Sequence, residues 1–319
     1  MEAKMGYLIS FILVFFTGQA LAQKYDFVVA ADGSGQFRTV QEALHAVPDF
    51  RKNTTTIFIK AGVYKEKIVL AESKANVTLI GENAENTLLT FDDFATKKNR
   101  FGEEVGTTGS ASFYAFGEGF SAKNITFQNT AGPVGQAVAL WIKSDKAVFE
   151  NCRFLGFQDT LYTFGIDIRQ YYKNCYIEGT VDFIFGPSIA VFENCIFHCK
   201  GKGYITAAST HQWRPYGYVF KNCRITGEGT ETHFLGRPWR PFSRVAFLDS
   251  ELGAVIRKEG WDNWRNPANE KTAYYAEFNN TGAGSNPAHR VPWARTLTAE
   301  QAAEYTLAKI FGDWTPPSL

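Results

Sequence analysis

Asn151-Cys152-Arg153-Phe154-Leu155-Gly156 is followed, 23 residues on, by Asn174-Cys175-Tyr176-Ile177-Glu178-Gly179. The same phrase opens at Asn76, Asn124, Asn194 and Asn222. Asn comes first, then a small apolar residue, then polar and apolar residues in turn. That alternation is the two-residue period of a strand entered from a turn. From Asn124 the starts lie 27, 23, 20 and 28 residues apart. A loose period in the twenties marks a solenoid with one coil per repeat. It predicts an all-β chain wound as a parallel β-helix, with Gly- and Asn-rich turns and insertions confined to loops. Asn tolerates the left-handed backbone region at such a turn. Each Asn is expected to bond to the next in its column, with the Cys after it pointing inward. A doubly wound α/β fold is disfavoured, because helical patterns are missing between the strands.

A second signal runs in step. Gln136, Asp159 and Asp182 are each 23 residues apart, and each Asp lies seven residues after its Cys. If one coil takes 23 residues, the two carboxylates are stacked neighbours, about 4.8 Å apart as paired strands are. Two carboxylates that close do not readily both ionise, so one is pushed toward the protonated form. One acid beside one base is a catalytic arrangement.

A solenoid needs covered ends, and both ends carry helix signals. Thr39-Val40-Gln41-Glu42 is a capping box opening Val40 to Val47, which Pro48 ends. Thr298-Ala299-Glu300-Gln301 opens a second stretch closed by Gly312. The first is expected to plug the amino end and the second to pack along the side. Residues 1–22 read as a cleavable signal peptide: Lys4, an apolar run from Tyr7 to Phe16, then Ala20-Leu21-Ala22. The run is shorter than the ~20 residues of a spanning helix. Residues 23–319 are therefore expected to form one exported domain, secreted, periplasmic or in a cell wall, with no membrane partner after cleavage.

A net charge of +1 gives no basic patch for nucleic acid, and 15% aromatic residues suit a sugar-binding face. Five Cys is an odd count for an exported chain. Cys195-x-x-His198-Cys199 lacks the second half-site of a metal centre. Stacked core thiols are the simpler expectation, with one bridge open between Cys175 and Cys195.

Five ordered segments carry a more specific signal. They are Gly62-Val63-Tyr64-Lys65-Glu66, Gly135-Gln136-Ala137-Val138-Ala139-Leu140, Gly156-Phe157-Gln158-Asp159-Thr160-Leu161-Tyr162, Gly179-Thr180-Val181-Asp182-Phe183-Ile184-Phe185-Gly186 and Leu235-Gly236-Arg237-Pro238-Trp239. Together they closely resemble the signature segments of pectin methylesterases, from about Tyr25 to Trp293. The resemblance implies a right-handed parallel β-helix that hydrolyses methyl esters of galacturonate units in pectin, without metal or organic cofactor. It implies Asp182 as nucleophile, Asp159 as general acid and then base, Gln158 and Gln136 as oxyanion donors, and Arg237 orienting Asp182. Trp239 would line the sugar subsite, with Tyr162, Phe185, Trp264 and Thr107 as further substrate contacts; Phe183 reads as core.

The residues suit those roles. An attacking carboxylate must be ionised, and a guanidinium beside Asp182 is expected to keep its pKa low. Side-chain amides donate to an oxyanion without adding charge. A monomer is expected. No long inhibitor-like stretch precedes the first motif, so a proenzyme of that kind is not expected. Gly186-Pro187-Ser188 departs from the family pattern and leaves cleft shape open, and Asp92 to Val105 carries no motif. The five His match no motif. A lyase would need a calcium-binding carboxylate cluster, and Asp92-Asp93 is the one adjacent Asp pair. An inverting glycosidase would hold its carboxylates about 6.5–9.5 Å apart. A serine esterase would need a G-x-S-x-G elbow. A non-catalytic carbohydrate-binding β-helix would keep the aromatics without needing Gln136, Asp159, Asp182 and Arg237 together. Asn53, Asn76, Asn124 and Asn279 lie in glycosylation patterns.

Overall fold

The computed structural model describes residues 24–319, so the signal-peptide reading lies outside the described residues. Three parallel sheets of eleven, eight and seven strands are wound from successive coils. Each central coil visits sheet one, sheet two and sheet three in turn. Arg169–Lys173, Tyr176–Gly179 and Ile184–Gly186 make one such coil. The chain is a parallel β-helix.

The Asn column forms the corner between sheets one and two. Asn76, Asn124, Asn151, Asn174, Asn194 and Asn222 all have φ between 52° and 56°. Asn reaches that region at low cost. The column is held differently from expectation. Asn279 donates to Asp249 through its side chain at 2.8 Å. From Asn124 to Asn222 the main chain does the work: Asn151 N–H donates to Lys173 C=O and Asn174 N–H to Glu193 C=O, both at 3.0 Å. The peptide unit before each left-handed residue turns toward the next coil, and the amide side chain is left over.

Parallel register stacks like on like. Phe149, Tyr172, Phe192, Phe220 and Phe247 occupy one inward column of sheet one. Their rings stack at 4.8, 4.6, 4.8 and 4.1 Å between centroids. Each such pair is worth about 0.5–1.5 kcal/mol beyond its burial. The next position in the column is Glu277. Arg290 meets it with two hydrogen bonds of 2.7 and 3.0 Å, and Trp261 Nε1 donates at 3.1 Å. A fully paired carboxylate thus closes the carboxyl end of the aromatic ladder.

The amino end is plugged as expected. Helix Val40–Ala46 has the full Thr39–Glu42 capping box and buries Val40, Ala43 and Leu44. Glu66, the last residue of the first motif, accepts from the N–H groups of Val40 and Gln41 at 3.0 and 3.1 Å. That motif is structural: it docks the plug. The carboxyl-terminal stretch is two short helices, Ala299–Ala302 and Leu307–Phe311, rather than one. Thr306 interrupts it by adopting extended backbone and capping the second helix through Lys309 N–H. Tyr305, Ile310, Phe311 and Trp314 pack on Tyr171, Val191 and Val219 along the outer face of sheet one.

All five cysteines are free and buried, so the bridge left open between Cys175 and Cys195 is not formed. The Cys175 N–H instead points at the Cys195 sulfur, 3.4 Å away. Burial pushes the thiols of Cys152, Cys195 and Cys199 up.

Two outcomes follow. In native protein none of the thiols should react with an aromatic disulfide reagent on a timescale of minutes, and all should react once denaturant unfolds the chain; rapid native labelling would contradict the stacked column. Glu66→Ala should lower stability by about 1–2 kcal/mol in a denaturant titration, because two helix N–H groups lose their acceptor.

Candidate active site

The turn from sheet two to sheet three carries the motif residues in successive coils. Asp159 N–H donates to Val181 C=O at 3.0 Å, and Leu161 pairs with Ile184 just after it. Asp159 and Asp182 therefore occupy equivalent positions one coil apart, as the 23-residue interval implied. Both lie in the left-handed region, with φ 64° and 52°. Aspartate tolerates this conformation better than most residues. The same kink delivers both carboxylates to the outer face just before the strand resumes.

Gln136 does not share that column. It pairs with Gln158, one residue earlier than the equal intervals suggested. The preceding coil has an extra residue, and Ala139 and Leu140 N–H both donate to the Thr160 carbonyl, at 2.9 and 3.3 Å. A bulge absorbs the difference. The two glutamines become neighbours of each other, alongside the two aspartates.

Arg237 arrives from strand His233–Pro238, two coils beyond Asp182. It shares an outward column with Tyr162, Phe185 and Ala207. A Cβ on Gly236 would sit 1.9 Å from the Thr206 hydroxyl, so only glycine lets this strand close on its neighbour. Arg237 grips Asp182 in a fork, Nε to Oδ1 at 2.9 Å and Nη2 to Oδ2 at 2.7 Å. Bidentate pairs of this kind are strong and directional.

The two carboxyls are 8% and 6% exposed, Asp159 and Asp182 respectively, but differ in company. Burial pushes Asp159 well up, and the charge of Asp182 adds to it; Arg237 and the Gln158 side chain only partly offset these. Burial also raises Asp182, against the pull of the Arg237 bonds. The expected low pKa at Asp182 is thus not reached: desolvation of a nearly enclosed carboxyl outweighs its ion pair. The ordering of roles survives, because Asp182 holds the guanidinium and Asp159 has no such partner.

A cleft of about 390 Å³ brings together Thr107, Gln136, Gln158, Asp159, Tyr162 and Asp182, with Phe185, Arg237, Trp239 and Trp264 completing its walls. Tyr162 and Phe185 are stacked at 4.2 Å and form its floor, and Trp239 leans edge-on against both. Thr107 comes from the short helix Gly106–Gly109. The buried Asn129 amide pins the loop before that helix, donating to Asp93, Ser110 and Val138 carbonyls. Phe183 is fully buried, as its core reading required.

Residues offered for other chemistries are placed elsewhere. Asp92 and Asp93 are neutralised by Lys65, Lys67 and Lys97. Cys195 and Cys199 point inward, while His198 pairs outward with Thr226. His233 is buried and pushed down to about 4, and no His lines this cleft. Gly186 follows its strand with φ 127° and its Cβ position 1.9 Å from the Thr163 carbonyl. The Gly186-Pro187-Ser188 departure lies at the next corner of the coil, outside the cleft lining. The sequence reading missed Thr108 and Ala207 in the lining, and Tyr204 and Asp262 beside Arg237. These stand outside the five motifs, and only the coil register brings them in.

Fold and cleft define a β-helical protein with a carboxylate pair at the centre of an aromatic-walled groove. A family profile described as Pectinesterase matches residues 26–313. Pectinesterase 31 of Arabidopsis thaliana is 43% identical over 284 residues, which cover 87% of this chain and 89% of that protein. A probable pectinesterase/pectinesterase inhibitor of Brassica napus is 42% identical over 310 residues, 91% of this chain; the chain spans 51% of that relative's length. The solved pectin methylesterase from carrot superposes with a TM-score of 0.83 at 37% identity, covering 92% of this chain and 98% of its own. A pectin methylesterase solved in complex with a hexasaccharide superposes at 0.81 with 29% identity, covering 92% and 99%. The chain belongs to the pectinesterase family, a family of carboxylic ester hydrolases.

The raised Asp159 has a consequence for stability. A carboxyl whose pKa is higher folded than unfolded binds its proton more tightly in the native state. It therefore opposes folding once pH rises above the unfolded carboxylate range, and the opposition is complete above the folded pKa. Asp159→Asn removes that penalty. It should raise Tm by a few degrees at pH 7, with the gain vanishing below about pH 3.5; an equal or lower Tm at pH 7 would contradict the desolvated carboxyl.

Proposed function

We propose that this protein hydrolyses the methyl esters of galacturonate units in pectin, giving pectate and methanol, through an acyl-enzyme on Asp182. The observation that carries the reading is the asymmetry of the carboxylate pair: Asp182 is forked to Arg237, while Asp159 is buried without a cationic partner of its own.

An Asp182 oxygen attacks the ester carbonyl carbon. Charge moves onto the carbonyl oxygen, where the amides of Gln136 and Gln158 donate to it. As the intermediate collapses, the bond to methoxide breaks and Asp159 gives its proton to the departing oxygen, so methanol leaves. The galacturonate acyl group is then held on Asp182 as a mixed anhydride. Asp159, now a carboxylate, takes a proton from water, whose oxygen attacks the same carbon. Asp182 leaves as a carboxylate, Asp159 has its proton back, and the net reaction is ester plus water to acid plus methanol. Tyr162 and Phe185 form the floor beneath the sugar, with Trp239 and Trp264 at its sides and Thr107 at the rim. The enzyme is read as an exported monomer whose partner is the methyl-esterified polymer.

Methanol release from highly methylated pectin tests this, with unsaturated uronate and new reducing ends followed in the same samples. Methanol alone is expected. Asp182→Ala should release none while keeping its fold, and Asp159→Asn should lose at least about 100-fold in kcat, the low end for general acid–base catalysis. Unsaturated product or reducing ends without methanol would place the chain with the lyases or glycosidases. The kcat/KM profile should be bell-shaped. Activity falls at low pH as Asp182 gains a proton, and at high pH as Asp159 loses one. Both limbs should lie above the ordinary carboxylate range, since both groups are raised. A profile flat from pH 4 to 9 would remove the pair from the mechanism.

A further inference from the structure

Arg237 is clamped between two aromatic faces. Its guanidinium carbon lies 3.8 Å from the centroid of Tyr204 and 3.9 Å from that of Trp264. The stack continues behind Tyr204, which pairs in register with Phe234 and stacks on it at 5.3 Å with the planes 9° apart. Arg257 covers the far face of Phe234 at 4.9 Å. Cation, ring, ring and cation thus form one column, with Trp264 as the lid over Arg237.

The lid is itself held. Trp264 and Arg265 lie in the left-handed region, at φ 59° and 55°. Bulky residues there mark backbone that its surroundings must enforce. Asp262 supplies part of that enforcement: its carboxylate accepts the Trp264 N–H at 2.8 Å, and its own N–H donates to the Gly236 carbonyl at 3.1 Å. The loop is therefore anchored to the residue just before Arg237.

A guanidinium forked to a carboxylate can swing about its long side chain, and misplacing reacting groups by about 1 Å costs on the order of 100-fold in rate. Two ring faces remove that freedom and leave only in-plane N–H groups to reach Asp182. Resting on the acyl-enzyme reading above, we propose that Tyr204 is a positioning residue for the nucleophile, acting through Arg237. Tyr204 is not part of the cleft lining, whereas Trp264 is. A change at Tyr204 therefore reaches the reaction through Arg237 and not through lost sugar contact.

The experiment compares Tyr204→Leu, Tyr204→Phe and Asp182→Ala with the unaltered enzyme on methylated pectin, reading kcat, KM, the pH profile and Tm. Tyr204→Leu should lower kcat about tenfold, the scale of one desolvated cation–π contact, with KM changed less than about twofold. Its acid limb should move to higher pH, because a loosened guanidinium no longer opposes the burial that raises Asp182. Tyr204→Phe keeps the ring and should restore both kcat and the acid limb. Tyr204→Leu with full kcat and an unmoved acid limb would overturn the proposal. So would a kcat loss that tracks a fall in Tm and is not restored by Tyr204→Phe. Methanol release by Asp182→Ala would sink the underlying reading instead, and is seen separately from either result.

Discussion

Everything in this molecule depends on parallel register between successive coils. Once one coil lies on the next with its strands paired, each side chain faces its counterpart about 4.8 Å away. Apolar counterparts gain from this, and the Phe149-to-Phe247 ladder is the result. Charged counterparts lose. The same register that stacks rings holds Asp159 against Asp182. Two buried carboxylates in register work against the fold, and that conflict separates an acid from a nucleophile.

A repeating stack also has to end. At the amino end, helix Val40–Ala46 covers the core, and Glu66 fixes its first turn. At the carboxyl end the column passes from Phe247 to Glu277, which Arg290 and Trp261 satisfy completely. A buried ion pair contributes little over an apolar pair of the same size, but losing one partner strands the other. Here it supplies a stop that no further aromatic coil could replace.

Much of this was legible in the chain. The Asn-Cys phrase carries the coil, because only a turn at one repeated point allows the register, and Asn is the residue that takes a left-handed turn at low cost. The catalytic aspartates share that constraint, and their equal distance from their Cys was a true structural interval. Gln136 showed the limit of counting: one extra residue before Leu140 shifts it from the Asp column to Gln158, and a bulge of that size leaves no mark in composition. The single carboxyl-terminal helix failed in a similar way, since Thr306 reads equally as a helix residue or as a second cap. The low pKa expected at Asp182 assumed the ion pair without the desolvation, and burial is a property of the closed coil stack. Tyr204 and Asp262 sit at unequal distances from Arg237 along the chain, in segments whose own pattern reads as ordinary strand and loop.

The cleft is where these requirements meet. Its floor, Tyr162 on Phe185, continues the outward column that leads through Ala207 to Arg237. A methyl group at Ala207 stands where the coil before it presents a ring, which opens the floor in front of the guanidinium. Arg237 is buried between ring faces, so its charge is desolvated and attracts Asp182 more strongly than it would in water. The aromatic clamp that confines Arg237 thereby also strengthens the pair it makes. Asp159 receives only the distant share of that charge. One cation, placed nearer to one of two identical groups, is sufficient to give them different protonation and different work.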